Sequence, residues 1–219
     1  MRLSYRDYRR YKKAVWRRIR ERDPNTVIVR WFRRKDVKRW LDYGLVNPPE
    51  LPSTLWKQLL AIPRAKDSLA CAAAELDDGT IEDCVIFVDS TDVTTPYLNL
   101  FDVPAKVLLS CVRLRRIFAS RKKLPISVEE RMNQHGETHM GGMVVNFVLR
   151  DGAKFGHAQG SANSAFVTMP EGRVPEEIVD VEFVDDPGVI QATPTLNGPD
   201  WKYCAFQAPA DRTSDWLRS

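Results

Sequence analysis

The sequence lacks long apolar runs. Its longest apolar stretches, such as VLLSCV from Val107, have the length of a core element and fall far short of the roughly 18 residues that cross a bilayer. The apolar segment of a secretory signal is also missing, because cations continue through Arg17, Arg18 and Arg20. We therefore expect a cytoplasmic protein with no membrane span. An amphipathic mitochondrial presequence is the alternative for this arginine-rich start, and Asp7 argues against it.

Cysteine pairs of the CxxC type, which bind metals or exchange disulfides, are absent. The four cysteines lie inside apolar stretches, which predicts buried, reduced thiols at Cys71, Cys84, Cys111 and Cys204. A disulfide between Cys71 and Cys84 is the alternative, since both fall in one predicted hairpin. The register expected for that hairpin offsets the two by two positions, so we expect no bond between them.

Catalytic signatures are missing as well. The sequence has no nucleophile elbow, Walker loop or dinucleotide fingerprint. Its three histidines, His135, His139 and His157, fall in one stretch, but Gly136 and Gly141 make HGETH poor material for the helix that the HExxH zinc motif requires. We interpret them as loop and strand histidines, with a three-histidine zinc site of a metal hydrolase as the alternative. No cofactor is predicted, and we expect a non-enzymatic protein.

Charge is distributed unevenly along the chain. The formal net charge is +4, yet residues 1–40 carry 16 Lys or Arg and four acids, a local charge of +12. The remainder holds 33 − 16 = 17 cations and 29 − 4 = 25 acids, a local charge of −8. A positive end steers a protein toward polyanions or acidic protein surfaces. The first 40 residues are therefore a candidate docking surface.

The stretch RDYRRYKKAVWRRIRERD, Arg6 to Asp23, interleaves cations with aromatics. Tyr5, Tyr8 and Trp16 recur at helical spacing, which predicts a helix with an aromatic stripe. Such a helix can grip nucleic acid, dock on protein or lie on a membrane surface. A second basic cluster near the middle of the chain would extend the positive surface. The candidate residues for binding nucleic acid or another partner are Arg6, Arg9, Arg10, Lys12, Lys13, Trp16, Arg17, Arg18, Arg20, Arg33, Arg34, Lys35, Arg115, Arg116, Arg121, Lys122 and Lys123.

Two similar β units follow the basic region. SLACAAAEL-DDGT-IEDCVIFVD predicts a hairpin with a two-residue turn at Asp78-Gly79, and MVVNFVLRDGAKFGHAQGS predicts another at Asp151-Gly152. A proline-containing phrase that ends in a strand closes each unit, at 101–114 and at 172–184, and the two copies differ in length by four residues. This pattern predicts a divergent internal repeat of two small, strongly bent antiparallel sheets.

The sequence therefore predicts an α+β protein with an N-terminal basic helical region and two tandem, related small antiparallel β units of SH3-like or Sm-like pattern. An irregular C-terminal tail packs on the body. The expected ranges are 1–66 for the helical region, 67–123 for the first unit, 124–142 for a connecting loop, 143–186 for the second unit and 187–219 for the tail. Nucleic acid is the expected partner of the basic region. The alternative is a protein–protein adaptor or inhibitor whose basic helix docks on its own β units or on an acidic protein.

Overall fold

The computed structural model describes residues 4–6, 8–10, 12, 13, 17, 34–45, 48–66, 68–90, 104–138, 142–160, 165–184 and 195–209. The helices whose bounds the structure describes are α1 Arg34–Asp42, α2 Ser53–Leu60 and α3 Ile126–His135. The strands are β1 Ala70–Leu76, β2 Ile81–Asp89, β3 Leu108–Ser110, β4 Leu114–Phe118, β5 Gly142–Leu149, β6 Lys154–Gly160, β7 Ile178–Phe183, β8 Thr195–Asn197 and β9 Lys202–Phe206. The predicted α+β class is confirmed.

The strands form two mixed sheets. The first has five strands in the order β3-β9-β2-β1-β4, and the second has four in the order β7-β5-β6-β8. In each sheet a hairpin pairs antiparallel with a closing strand, and a strand from the C-terminal segment runs parallel to the second hairpin strand. Each sheet therefore contains parallel as well as antiparallel pairs, whereas the sequence had predicted purely antiparallel sheets.

The first hairpin turns over three residues rather than the predicted two. The N–H of Leu76 donates to the carbonyl of Thr80 at 2.8 Å, and Gly79 takes the positive φ of 81° that such a turn demands. A register shift further along β1 compensates for the extra turn residue. Cys71 consequently lies opposite Ile86, which is the predicted register, and its offset from Cys84 is confirmed.

The second hairpin repeats this geometry. The N–H of Leu149 donates to the carbonyl of Ala153 at 2.8 Å, and Gly152 has a φ of 83°. The closing strands also correspond. The pairing of β4 with β1 shifts its register at Leu76, and the pairing of β7 with β5 shifts its register at Leu149; each leucine directly precedes its hairpin turn. A one-turn 3₁₀ helix stands directly before each closing strand, at Cys111–Arg113 and at Pro175–Glu177.

The closing strand of the first unit begins later than the sequence suggested. Leu114 lies opposite Leu76, and Ile178 lies opposite Leu149. The intervals from turn glycine to closing strand are therefore 114 − 79 = 35 and 178 − 152 = 26 residues, so the units differ by nine residues rather than four. The sequence comparison had aligned the two proline-containing phrases, which occupy different places in the fold.

The C-terminal segment is not irregular in its described part. β9 inserts between β2 and β3 inside the first sheet, and β8 forms the edge of the second. The sequence signal was weak because β8 has only three residues and β9 carries no alternating pattern, since Cys204, Ala205 and Phe206 are all buried. The segment packs on the body by joining both sheets.

The expected connecting loop at 124–142 contains helix α3. Val128 and Met132, one helical turn apart, are buried against the second sheet, and Gly136 ends the helix with a φ of 80°. The glycines that follow are typical of a loop, so the sequence predicted a loop despite this short apolar spacing.

The first sheet has an apolar layer on both faces. On one face Trp56 of α2 packs with Phe87 and Phe206. On the other face Trp40 and Leu45, at the end of α1, belong to a second buried cluster. A strand covered on both sides reads as a continuous apolar run, which explains CVIFV in β2. All four cysteines are buried with free thiols, as predicted.

Candidate nucleic-acid interface

The described residues of the N-terminal stretch have helical backbone, at positions 5, 6, 8–10, 12, 13 and 17. Five cations among them are exposed, and their spacing of three or four residues is the spacing of neighbours on one face of a helix. We call this set the N-terminal basic face, and it consists of Arg6, Arg9, Arg10, Lys13 and Arg17.

Tyr8 points to the other side of this helical stretch. Its ring is half-buried and packs against the cluster that contains Trp40 and Leu45. The Lys12 ammonium lies 5.9 Å from the centre of that ring, and Lys12 is itself half-buried. Lys12, although a candidate binding residue, is therefore placed away from the basic face. The stretch is anchored to the body through Tyr8 while its cations point outward.

Tyr5 lies at the margin of the basic face. Its side chain is 60% exposed, and the Arg9 guanidinium carbon lies 6.0 Å from the centre of the ring. Tyr5, Arg6, Arg9, Arg10 and Lys13 line an open groove of about 480 Å³. The groove lining thus combines four positive charges with one accessible aromatic ring. Helical spacing had placed Tyr5 in the aromatic stripe, and Tyr5 was not among the predicted binding residues.

The charge of the basic face is not neutralised within the described part of the chain. None of its five cations lies within ion-pair distance of a described carboxylate. A concentration of unpaired positive charge of this kind attracts polyanions over about a Debye length, roughly 8–10 Å.

The second basic cluster has a different electrostatic character. Arg115 and Arg116, on the edge strand β4, both approach the Glu75 carboxylate, at 3.4 and 3.2 Å. Arg121 pairs with Asp83 at 3.3 Å. These acids escaped the sequence analysis because the strand register, not sequence distance, brings them beside the cations. Lys122 is exposed, and the Lys123 ammonium donates to a backbone carbonyl, that of Pro63.

Arg113, next to this cluster, stabilises the first hairpin turn. Its guanidinium donates to the carboxylates of Asp77 at 3.1 Å and of Asp78, which fastens the first hairpin turn to the 3₁₀ helix. These bonds raise the pKa of Arg113. The pKa of Asp78 is lowered, chiefly by the N–H that the Thr80 backbone donates.

The second unit carries the same clamp. Arg173 donates to Asp151 at 2.5 Å and to Glu177 at 2.6 Å, and the Arg173 contact lowers the pKa of both acids. Asp151 also accepts the Ala153 N–H at 3.0 Å, as Asp78 accepts that of Thr80 at 2.9 Å. The arginines beside the turns therefore hold the hairpins rather than a ligand.

The chain was compared with protein families, curated proteins and solved structures. No family model, curated protein or solved structure matches the chain. Function must therefore be inferred from the surface itself.

The remaining candidate residues are described only in part. Trp16, Arg18, Arg20 and Arg33 lie outside the described residues, as does any stripe that they would complete. Arg34 and Lys35 belong to the first turn of α1, of which the backbone alone is described. No helix in the described part of the chain is long and apolar enough to span a bilayer.

Two of the three histidines lie in the described part of the chain, on different elements. His157 lies on β6 with its side chain fully buried, 5.3 Å from the ring of Phe147. His135 belongs to α3 rather than to a loop, and its ring stacks on Phe183 with 3.7 Å between centroids. His139 lies outside the described residues. Within the described ranges, no group of three or more His, Cys, Asp or Glu side chains is arranged to hold a metal.

Proposed function

We propose that this protein is a non-enzymatic binding or assembly protein whose N-terminal basic face engages nucleic acid. The observation that supports this proposal is the groove beside Tyr5, which four cations and one exposed aromatic ring line. Lys and Arg gain affinity by releasing the counterions that phosphates condense, and an aromatic ring adds about 1–3 kcal/mol for each base that stacks on it.

Single-stranded nucleic acid suits the groove better than a duplex. A base can stack on the Tyr5 ring only when it is unpaired, and the ring is the groove's aromatic element. The cations of the face recur along the helical stretch at spacings of three and four residues, so a phosphate backbone can follow them. The two β units then act as a rigid scaffold, for which we retain the SH3-like or Sm-like bending as part of the proposal.

The test compares two variants that lose the same number of charges. One replaces three residues of the basic face, Arg6→Gln, Arg10→Gln and Lys13→Gln. The other replaces three cations of the second cluster, Arg115→Gln, Arg116→Gln and Arg121→Gln. We expect fluorescence anisotropy with a labelled single-stranded 20-mer at low salt to show a loss of at least tenfold in affinity for the first variant, and less than threefold for the second.

Equal losses in the two variants would show that only net charge matters, and the basic face would not be the binding site. Absence of binding by the intact, folded protein at low salt would remove the proposal altogether. Thermal unfolding of both variants controls for folding, because all six side chains lie at the surface while Arg115, Arg116 and Arg121 also make ion pairs.

A protein adaptor or inhibitor is the second candidate function, and the packing of Tyr8 on the body favours it. In that case the basic stretch is a docked helix that supports the fold, and the partner is an acidic protein. Limited trypsin digestion tests whether the basic stretch is docked on the body. A docked stretch resists cutting between residues 17 and 22, whereas a free arm is lost before the β units are cut.

A further inference from the structure

A second concave site lies away from the basic face, between the end of α2 and the start of β1. It is a cavity of about 230 Å³. Two cations and a buried thiol, Arg64, Lys123 and Cys71, contribute to its lining. The rest of the lining consists of apolar residues from α2, the turn after it and the first position of β1, namely Leu59, Leu60, Ile62, Pro63 and Ala70.

Lys123 contributes a positive charge to the cavity. Its ammonium donates one hydrogen bond, to the Pro63 carbonyl. No described carboxylate lies within ion-pair distance of that ammonium. Since a lysine ammonium has three N–H donors, two remain for another acceptor.

The carboxylate of Glu129 interacts electrostatically with Lys123 without forming an ion pair with it. Glu129 of α3 is 98% buried, and its carboxylate accepts hydrogen bonds from the Ser68 side chain and the Ala65 backbone. One of its oxygens has no hydrogen-bond partner among the described residues. Burial raises the pKa of Glu129, which weakens the negative charge that it sets against Lys123.

Arg64 adds a second cation beside the apolar wall. Its guanidinium is partly buried, and this burial lowers its pKa. Charges that are partly removed from water act more strongly on a neighbouring ion than charges on an open surface. A ligand in this cavity therefore meets apolar contacts along one side and positive charge on the other.

The volume limits the ligand to a small molecule. One water molecule occupies about 30 Å³ in the liquid, so 230 Å³ accommodates about eight atoms other than hydrogen. Drug-sized ligands occupy pockets of about 300–1,000 Å³, so this cavity is smaller than the pockets that they fill.

We propose that this cavity binds a small organic monocarboxylate with a short aliphatic chain. The carboxylate accepts hydrogen bonds from the Lys123 ammonium and lies near Arg64, and the chain packs on Leu59 and Ile62. This site is separate from the N-terminal basic face and does not depend on nucleic-acid binding.

Hexanoate, which has eight non-hydrogen atoms, is the probe. Titration of isotope-labelled protein, followed by NMR, should show saturable shifts of the methyl signals of Leu59 and Ile62, with a millimolar Kd. Acetate lacks the chain and 1-hexanol lacks the charge, so each should bind at least fivefold more weakly. Phosphate serves as the probe for a purely electrostatic site.

Lys123→Met should weaken hexanoate binding at least tenfold, while Lys122→Met, its exposed neighbour outside the cavity, should change it by less than twofold. Lys123→Arg, which keeps the charge, should restore most of the affinity and shows whether the methionine variant merely misfolds. Absence of saturable shifts at 50 mM hexanoate would overturn the proposal. Equal affinity for acetate or phosphate would also overturn it, as would unchanged binding by a folded Lys123→Met variant.

Discussion

The strongest quantitative prediction concerns the salt dependence of nucleic-acid binding. Each phosphate contact that a cation makes on a single strand contributes a slope of about −0.7 to a plot of log K against log salt concentration. Five cations form the N-terminal basic face, so the intact protein should show a slope of about −3.5 if all of them contact phosphates. A slope of this size corresponds to a loss of affinity of about 100-fold between 50 and 200 mM salt.

Substitution should change this slope in discrete amounts. The variant with Arg6→Gln, Arg10→Gln and Lys13→Gln retains two cations of the face, so its slope should fall to about −1.4. Its affinity should then decrease only about sevenfold over the same salt range. The variant of Arg115, Arg116 and Arg121 should keep the slope of the intact protein, because each of these three cations already lies within ion-pair distance of Glu75 or Asp83.

The assay is fluorescence anisotropy with a labelled single strand at five salt concentrations between 50 and 200 mM. A slope for the basic-face variant within 0.5 of the intact protein's slope would refute the argument. So would an equal change of slope in the second-cluster variant, because the ion pairs of that cluster would then have no influence on binding.

Three further predictions concern stability. Phe206→Ala should lower the free energy of unfolding by about 3–5 kcal/mol in urea denaturation, because Phe206 is fully buried against Trp56 and Phe87; a loss below 1 kcal/mol would contradict this packing. The raised pKa of Glu129 means that the folded state binds this proton more tightly than the unfolded chain does, so its contribution to stability decreases as the pH rises above about 4.5. Glu129→Gln should therefore flatten the decline of the urea midpoint between pH 5 and pH 8, and an unchanged decline would disprove this. Gly152→Ala should cost about 1–2 kcal/mol by the same assay, because φ is 83° and a Cβ would meet nothing within 4 Å, which leaves backbone strain as the sole cost.

Local sequence signals predicted the hairpins correctly and long-range pairing poorly. A glycine after an aspartate, between apolar runs, marks a turn whatever lies elsewhere in the chain, so both hairpins were found. The choice of β9 as the neighbour of β2 depends on contacts more than a hundred residues apart in sequence, such as Val85 with Lys202. No local pattern carries that information. Helix α3 was missed for a different reason, since only Val128 and Met132 formed its apolar spacing and a glycine-rich segment followed.

The sequence predicted where the candidate surface lies, but it did not predict which cations form ion pairs. Charge counting placed it in the first 40 residues, and helical spacing placed Tyr8 on the side opposite the cations. The pairing of Arg115 and Arg116 with Glu75 depends on the register of β1 and β4, which places Glu75 opposite Arg116. The cavity beside Lys123 joins elements some 60 residues apart, as the bond to Pro63 shows, and no spacing rule could reveal it.

The C-terminal strands also determine when the protein can complete its fold during synthesis. β9 lies inside the first sheet, so β2 and β3 cannot be joined until residue 206 has left the ribosome. The second sheet likewise waits for residues 195–197 to cover β6. Until then the nascent chain presents the unpaired edges of two hairpins, which are the edges that attract other strands and lead to aggregation. A segment of twelve residues, 195–206, therefore completes both sheets after all the other strands have been made.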